Sequence, residues 1–450
     1  MDSQLFIFRE RLVKLRWKRS DFRSSRRVSR AAHAAMSRSD APSAAAGVHL
    51  PDDADADRRA RAAALACMIG LAVALGVGRF AFTPLLPLML ADGSISLKAG
   101  SWLASANYAG YFVGAVSCAA VRAAPARMVR IGLAATVLLT AAMGVGHLLP
   151  AWLVVRFVAG VVSAWTFVFV SQWGLRRLAE LHAPEWSGVI YAGPGVGIVV
   201  TGLIGSALAG QRAAPGWLGF AALSAVLSIA IWRTFGRAPV SAAVPTAEPA
   251  RHAAMVAAPD DARRHRVDAA WLVVLYGMPG FGYIITATFL PVIARAALPA
   301  GSPWPDLFWP MFGAALIVGA IAASRLPGHW DNRLLLAAGC ATQALGIAAG
   351  IVWPNAAGFS VGSALLGLPF TAITLFAMRE ARRLHGERAA GLMGYATASY
   401  GVGQILGPLV AAPLVARFGS FSPALWVAVA ALLLGAAGFA ATAARRRLQP

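Results

Sequence analysis

The sequence predicts an all-α integral membrane protein, in which twelve transmembrane helices form two pseudo-symmetric six-helix halves. Its composition is 58% hydrophobic and 13% charged, whereas a soluble chain carries about 25% charged residues. The apolar residues occur in runs of about 20, which is long enough to cross about 30 Å of hydrocarbon. A third observation, an internal repeat, divides the runs into two sets of six.

Each apolar run predicts one helix. We place the helices at residues 63–90, 100–121, 129–149, 151–174, 187–210, 216–235, 269–294, 306–325, 333–353, 356–378, 391–414 and 421–444. Several runs contain Pro or Gly, which membrane helices tolerate because neighbouring groups satisfy the freed backbone.

The second half of the chain repeats short segments of the first at nearly constant offsets. Residues 176–178 (Arg-Arg-Leu) recur 206 positions later at 382–384, and residues 195–197 (Gly-Val-Gly) recur at 401–403. A duplicated bundle of membrane helices is typical of secondary transporters, whose binding site lies between the halves.

The repeat and the charged stretches define the predicted domains. Residues 62–235 and 269–444 form the two six-helix bundles, joined by a Pro-containing cytoplasmic linker at 236–268. Residues 1–61 are interpreted as a disordered basic cytoplasmic tail, with Met36 as an alternative start, and 445–450 as a second basic tail. The first segment lacks the apolar core of a secretory signal.

The net charge of +21 is distributed asymmetrically. From residue 58 onward, the segments on the side of the amino end hold 23 Lys and Arg, and the opposite side holds four. This bias places both termini in the cytoplasm, with the chain in the inner or plasma membrane. The basic charge therefore predicts contact with anionic lipid head groups and argues against a nucleic-acid partner.

No spacing indicates an enzyme, a metal site or a cofactor. The Gly-rich stretch 193–197 lies in a membrane run without a preceding strand, which excludes a phosphate loop. Ser, His and acidic residues do not converge by spacing anywhere in the chain.

Two arginines, Arg79 and Arg156, lie inside apolar runs, whereas all 19 Asp and Glu lie outside the runs or at their edges. An Arg at bilayer depth costs at least about 2.5–3.5 kcal/mol and is usually functional. With no buried acid as a partner, the cargo is the simplest counter-ion, and a guanidinium suits carboxylate or phosphate. The alternative is that both arginines bond backbone carbonyls freed by Pro and Gly.

Further polar residues in the runs are candidates for lining a central cavity. All seven tyrosines fall in membrane runs, and a Tyr suits an amphipathic ligand. The alternatives are an interfacial aromatic belt and hydrogen bonds between helices. The candidates besides the arginines are Tyr108, Tyr111, Tyr191, Tyr276, Tyr283, Tyr400, Asn107, Gln172 and Gln404.

Small residues at four-residue spacing predict close helix packing and hinges. The packing and hinge candidates are Gly110, Gly114, Gly160, Gly193, Pro194, Gly195, Gly197, Gly401, Gly403 and Gly407.

Residues 62–444 resemble the major facilitator superfamily. Arg156 followed by Gly160 is similar to its helix-4 motif, and Gly193-Pro194 resembles the helix-5 motif of its exporters. The first run, residues 76–89, resembles the opening of the YbfB/YjiJ-type branch. The resemblance implies a major facilitator fold, alternating access and an intracellular charged gate, for which the candidates are Arg122, Arg127, Arg130, Arg325, Asp331 and Arg333.

The resemblance implies a secondary active transporter of a small solute, which we expect to act as a monomer. Our first hypothesis for the cargo is a small organic anion, exported or exchanged. Efflux of amphipathic compounds is the alternative suggested by the helix-5 motif. A non-transporting membrane sensor or scaffold is the alternative from another class, although it usually needs a sizeable soluble domain.

Overall fold

The computed structural model describes residues 53–236, 259–386 and 389–447. All regular elements in these ranges are helical. Most of the predicted tail 1–61 with Met36, most of the linker 236–268 and the last three residues of 445–450 lie outside the described residues.

Twelve helical segments, labelled α1–α12, follow one another along the chain. Two of them are interrupted: α1 consists of Asp53–Leu71, Ala72–Val77 and Phe82–Ala91, and α10 consists of Ala356–Gly367 and Phe370–His385. The others are α2 (Leu97–Ser117), α3 (Pro125–Val145), α4 (Leu149–Glu180), α5 (Ser187–Ala207), α6 (Ala213–Trp232), α7 (Pro259–Ala297), α8 (Trp304–Ser324), α9 (Asn332–Val352), α11 (Ala389–Phe418) and α12 (Ser422–Arg447).

Each of the twelve predicted runs corresponds to one of these segments, which confirms the predicted fold class. In the described ranges, eleven helices are long and apolar enough to cross a membrane. The exception is α2, which is 21 residues long but carries the polar residues Ser101, Ser105 and Asn107, all of them buried. Its polar side chains therefore lie inside the bundle.

Several helices extend beyond the predicted runs at one end of the bundle, which we call the basic end. Here α1 and α7 begin, α4 and α10 end, and α12 ends at Arg447. The first turns of α1 lie outside the apolar run and carry intrahelical ion pairs, such as Arg61 Nη2 to Asp57 Oδ2 at 2.5 Å. Hydropathy marks only the part of a helix that lies in hydrocarbon, so it misses these charged turns.

The two halves pair their helices in the same way. In the first half α1 packs on α5, α2 on α4 and α3 on α6; in the second half α7 packs on α11, α8 on α10 and α9 on α12. The halves contact each other through α2 with α11 and α5 with α8. The internal repeat in the sequence is therefore also a repeat of structure.

The first helix contains a π-helical turn at Ala72–Val77. The backbone N–H of Gly78 donates to the carbonyl of Val73, and that of Phe80 to the carbonyl of Leu75, both at 3.0 Å and five residues back. Such π-bulges occur frequently at functional sites. This bulge lies directly before Arg79 and so sets the direction in which that residue leaves the helix.

The predicted packing glycines lie at close helix–helix contacts. A Cβ added at Gly110 of α2 would lie 1.8 Å from the carbonyl oxygen of Phe157 on α4, and one at Gly160 would lie 2.1 Å from that of Asn107. On α5, a Cβ at Gly197 would lie 2.5 Å from Cα of Gly76. Only glycine permits these backbone approaches.

We expect Gly110→Ala to prevent stable folding, because the new methyl group overlaps a backbone carbonyl that cannot rotate away. The matched control is Gly219→Ala in α6, where an added Cβ meets nothing within 4 Å and Ala favours the helix by roughly 0.5–1 kcal/mol. The yield of monodisperse protein in detergent compares the two. Equal yields of both variants would contradict the tight α2–α4 contact.

Candidate functional site

Arg79 lies near the middle of the bundle and connects its two halves. Its side chain is 5% exposed. Its Nη2 donates a hydrogen bond of 2.8 Å to Oε1 of Gln404 on α11. A residue from the first half is thus bonded directly to one from the second.

Aromatic rings surround the guanidinium of Arg79. Its Cζ lies 4.0 Å from the ring centroid of Tyr111, 5.2 Å from that of Tyr108 and 5.3 Å from that of Phe80. Cation–π attraction from such rings contributes about 0.5–2 kcal/mol each, more when desolvated. The rings stabilise the charge of Arg79 without neutralising it.

The guanidinium retains unused capacity for hydrogen bonds. A guanidinium has five N–H donors, and within the described ranges Nη2 makes the only side-chain hydrogen bond of Arg79, while the buried Nε has no partner. No Asp or Glu among the described residues forms an ion pair with Arg79. Free guanidinium donors of this kind are the groups that pair with carboxylate or phosphate oxygens.

Three tyrosines of the second half form a cluster that begins at the partner of this arginine, Gln404. The amide Nε2 of Gln404 donates to the hydroxyl oxygen of Tyr283. The Tyr283 and Tyr400 rings stack with centroids 5.9 Å apart, and Tyr276 lies 4.8 Å from Tyr400. The Tyr276 hydroxyl in turn donates to Thr374 Oγ1 at 3.0 Å. The result is an aromatic wall on the α7 and α11 side of the site.

Arg156 performs a different task from Arg79. It is 2% exposed, and its Nη1 and Nη2 donate to the carbonyl oxygens of Gly78 and Arg79 at 3.4 and 3.3 Å. These carbonyls follow the π-helical turn of α1, where the regular helix bonds are interrupted. This geometry corresponds to the alternative considered for Arg156, in which it bonds freed backbone carbonyls. The two hydrogen bonds hold the backbone of α1 at the residue before Arg79 and at Arg79 itself.

Hydrogen bonds also join the halves on the side of the site away from the basic end. Tyr108 and Thr288 hydroxyls are 2.9 Å apart, Thr83 Oγ1 donates to the carbonyl of Ala287 at 3.0 Å, and Ser105 Oγ donates to that of Ile405 at 2.9 Å. At the basic end, the ion pairs between described residues each stay within one half. Between described residues, these three hydrogen bonds thus join the halves on the side opposite the basic end.

The structure does not bring every candidate into this cluster. Tyr191 is half-buried against Phe167, with ring centroids 6.3 Å apart, and Gln172 is exposed on α4. Asn107 is fully buried and its Nδ2 donates to the carbonyl of Arg156 at 2.9 Å. Asn107 thus connects α2 to α4 next to the site.

The sequence matches the family described as "Uncharacterised MFS-type transporter YbfB" over residues 71–439. The chain belongs to this family. It is thus a secondary transporter of the major facilitator superfamily and not an enzyme, and it is an integral membrane protein with many spans. Residues 76–89, which suggested the branch, run from the end of the π-helical turn into the last part of α1 and include Arg79.

Solved structures share the fold of this YbfB-type transporter. It aligns with the crystal structure of the nucleoside transporter NupG (D323A mutant), with a TM-score of 0.64 and 15% identity, covering 84% of this chain and 99% of that one. The D-xylose–proton symporter gives a TM-score of 0.63 and 12% identity, with 84% and 97% covered. No curated relative matches the sequence.

Sequence reasoning missed one charged cluster of the YbfB-type transporter. Glu380 in α10 is 1% exposed and its Oε1 accepts from Arg333 Nε at 2.7 Å, while Arg333 Nη2 donates to Asp268 at 2.5 Å. The expectation that no acid is buried is therefore wrong for Glu380, because the end of α10 packs against α9 beyond its apolar run. Its spacing from Arg383, three residues on, was the available signal.

The predicted gate residues take separate local roles. Asp331 caps α9 by accepting from the backbone N–H of Arg333 at 2.9 Å, and Arg130 donates to the carbonyl of Trp232 at 3.1 Å. Arg122, Arg127 and Arg325 are exposed and form no ion pair with another described residue. A gate that joins the halves stays a prediction.

Proposed function

We propose that this transporter moves a small organic anion, with Arg79 as the group that binds its carboxylate or phosphate. One observation carries the proposal: Arg79 is buried at the contact between the halves, has free donors, and has no carboxylate partner among the described residues. Burying an unpaired charge is costly, so the resting site favours a ligand that brings the opposite charge.

The surroundings of Arg79 indicate the rest of the cargo. Tyr111 and Tyr108 on one side, and Tyr283 and Tyr400 on the other, present rings with hydroxyl groups. Such side chains suit a ligand that is apolar in part and polar at its edge. We infer an aromatic or otherwise planar acid rather than a polyhydroxylated solute.

The acidic residues around Arg79 bear on how transport is driven. In the described part of the chain, Glu380 and Asp306 are acidic residues close to the membrane-spanning parts of their helices. Both lie near helix ends, where Glu380 forms ion pairs with Arg333 and Arg383, and Asp306 with Arg295. None contacts Arg79, so no carboxylate at the site exchanges protons with the cargo. Exchange of one anion for another, or export down a gradient, accounts for transport with the groups present.

The positions of the hydrogen bonds between the two halves support an inward-facing state. Among the described residues, the hydrogen bonds that join the halves lie at Arg79 and on the side away from the basic end. We place the basic end in the cytoplasm, because the positive-inside bias favours that orientation. The cargo then enters the site from the cytoplasmic side, which agrees with export.

A ligand screen tests the proposed cargo class. We expect benzoate and phenyl phosphate to raise the Tm of the purified protein, because a ligand at 100 times its Kd stabilises by about 2.7 kcal/mol. Nucleosides, xylose and amphipathic cations form the comparison set; the structural neighbours include a nucleoside transporter and a xylose symporter.

The same ligands are then tested for counterflow in proteoliposomes, with protein-free vesicles as the control. Stabilisation and counterflow by the anions alone would support the anion site. Stabilisation by cations or neutral sugars alone, unchanged in Arg79→Gln, would reject it in favour of efflux of amphipathic compounds or of a neutral cargo.

A further inference from the structure

Gln404 is bonded to Nη2 of Arg79, the donor that a bidentate carboxylate or phosphate would use together with Nε or Nη1. Its side chain is 3% exposed, and its Oε1 accepts from Arg79 Nη2 at 2.8 Å. This distance lies in the range of about 2.7–2.9 Å that charge-assisted N–H···O bonds show. An amide carbonyl has the planar geometry of one half of a carboxylate, so it imitates a cargo oxygen.

The orientation of this amide is fixed from both ends. An arginine has no acceptor, so only Oε1 of Gln404 can face Arg79. Nε2 is then directed to the hydroxyl oxygen of Tyr283, which accepts its hydrogen bond. Gln404 is thus held on Arg79 by a second bond within its own half.

We propose that Gln404 is an internal surrogate for the cargo, which an incoming anion must displace from Arg79. This proposal rests on the proposed anion site at Arg79. The amide gives the buried guanidinium a partner while leaving its charge intact. The anion offers full charge and a second oxygen, and therefore replaces the amide.

The surrogate lowers the apparent affinity for the cargo. When the binding-competent form is only a fraction of the population, the apparent Kd rises by the inverse of that fraction. The Arg79–Gln404 bond also joins α1 to α11. Displacing the amide therefore removes a bond between the halves, and cargo binding is coupled to that contact.

Two substitutions at this position have opposite expected effects on binding. Gln404→Met keeps the length of the side chain and removes the acceptor, so the apparent Kd for an anion should fall about tenfold. Gln404→Glu places a carboxylate on Arg79 within the protein, and an intramolecular partner acts at a very high effective concentration. We expect this variant to lose anion binding by at least about 100-fold.

Gln343 provides a matched control. It is 1% exposed in α9, and its Nε2 donates to the carbonyl of Leu366 at 3.4 Å, whereas the described side-chain hydrogen bond of Arg79 goes to Gln404. Gln343→Met removes a buried amide of the same size from a place that the proposal does not involve. Its apparent Kd should equal that of the unmodified protein.

The experiment measures Tm against concentration of benzoate and of phenyl phosphate for the full chain, Gln404→Met, Gln404→Glu, Gln343→Met and Arg79→Gln. Gln404→Leu replaces Gln404→Met if the latter does not give monodisperse protein. The surrogate is supported if Gln404→Met binds these anions more tightly than the unmodified protein does, or if it alone binds them. In either case, the double variant Gln404→Met with Arg79→Gln must lose the binding.

Each remaining result rejects a specific statement. Binding to the unmodified protein that depends on Arg79, with an unchanged or higher Kd in Gln404→Met, overturns the surrogate and leaves the anion site standing. Retained binding in Gln404→Glu also overturns the surrogate. The lack of any response in both the unmodified protein and Gln404→Met overturns the surrogate and the anion site together.

Discussion

Arg79→Gln is expected to abolish anion transport while the protein still folds. The substitution keeps a long polar side chain in the site but removes the charge and most of the N–H donors. A hydrogen bond to a charged group contributes about 1.5–3 kcal/mol, so losing two of them to one anion lowers affinity by a factor of 100 or more. Counterflow of benzoate in proteoliposomes measures the loss.

The controls separate loss of binding from loss of structure. Arg417→Gln removes an exposed arginine at the far end of α11 and should leave counterflow unchanged. Arg79→Lys keeps the charge but not the planar fork of donors, and should retain a small part of the activity. Saturable benzoate counterflow by Arg79→Gln, with the KM of the unmodified protein, would contradict an anion site at this residue.

The architecture was predictable from sequence because the bilayer imposes simple rules on composition. Apolar runs gave one segment each for α1–α12, and the repeated triplets at 176–178 and 382–384 indicated the duplication that the helix pairing shows. The predicted helix boundaries were less accurate than the number and order of the helices. Charged turns such as those around Arg61 and Glu180 continue a helix outside hydrocarbon, where hydropathy carries no signal.

The composition of the candidate site was partly predictable, but its connections were not. A buried Arg79 was evident because an arginine in an apolar run is rare. Its bond to Gln404, 325 positions away, depends on how the halves dock. For Arg156, bonding of freed backbone carbonyls was one of the two interpretations from sequence, but which carbonyls it bonds depends on how α4 packs against α1. Phe80 and Thr288 joined the site through contacts, not through any motif.

Glu380 illustrates a buried charge that serves structure at the basic end of the second half. Its carboxylate accepts from Arg333 and from the neighbouring Arg383, and Arg333 also donates to Asp268 and to the carbonyl of Thr442. Four helices, α7, α9, α10 and α12, therefore meet at one guanidinium. Desolvation opposes burying these charges, and only the complete set of bonds compensates for it.

Glu380→Gln should therefore destabilise the protein strongly, by about 3–5 kcal/mol, because it leaves buried arginine donors without their carboxylate. The matched control is Glu180→Gln. Glu180 also accepts from two arginines, Arg176 and Arg177 at 3.1 and 3.0 Å, but its side chain is 33% exposed. Exposed ion pairs contribute about 0–1 kcal/mol, so this variant should melt close to the unmodified protein.

Thermal unfolding in detergent, followed for both variants and for Arg333→Met with Glu380→Met, distinguishes a structural cluster from a mobile gate. If the cluster stabilises by complete pairing, Glu380→Gln lowers the Tm most, and the double apolar variant recovers part of the loss because neither of these two charges remains buried. An equal, small decrease for Glu380→Gln and Glu180→Gln would show that the cluster is hydrated or opens readily. Such a result would make Glu380 a further candidate for the predicted gate, in which Asp331 was the acidic member.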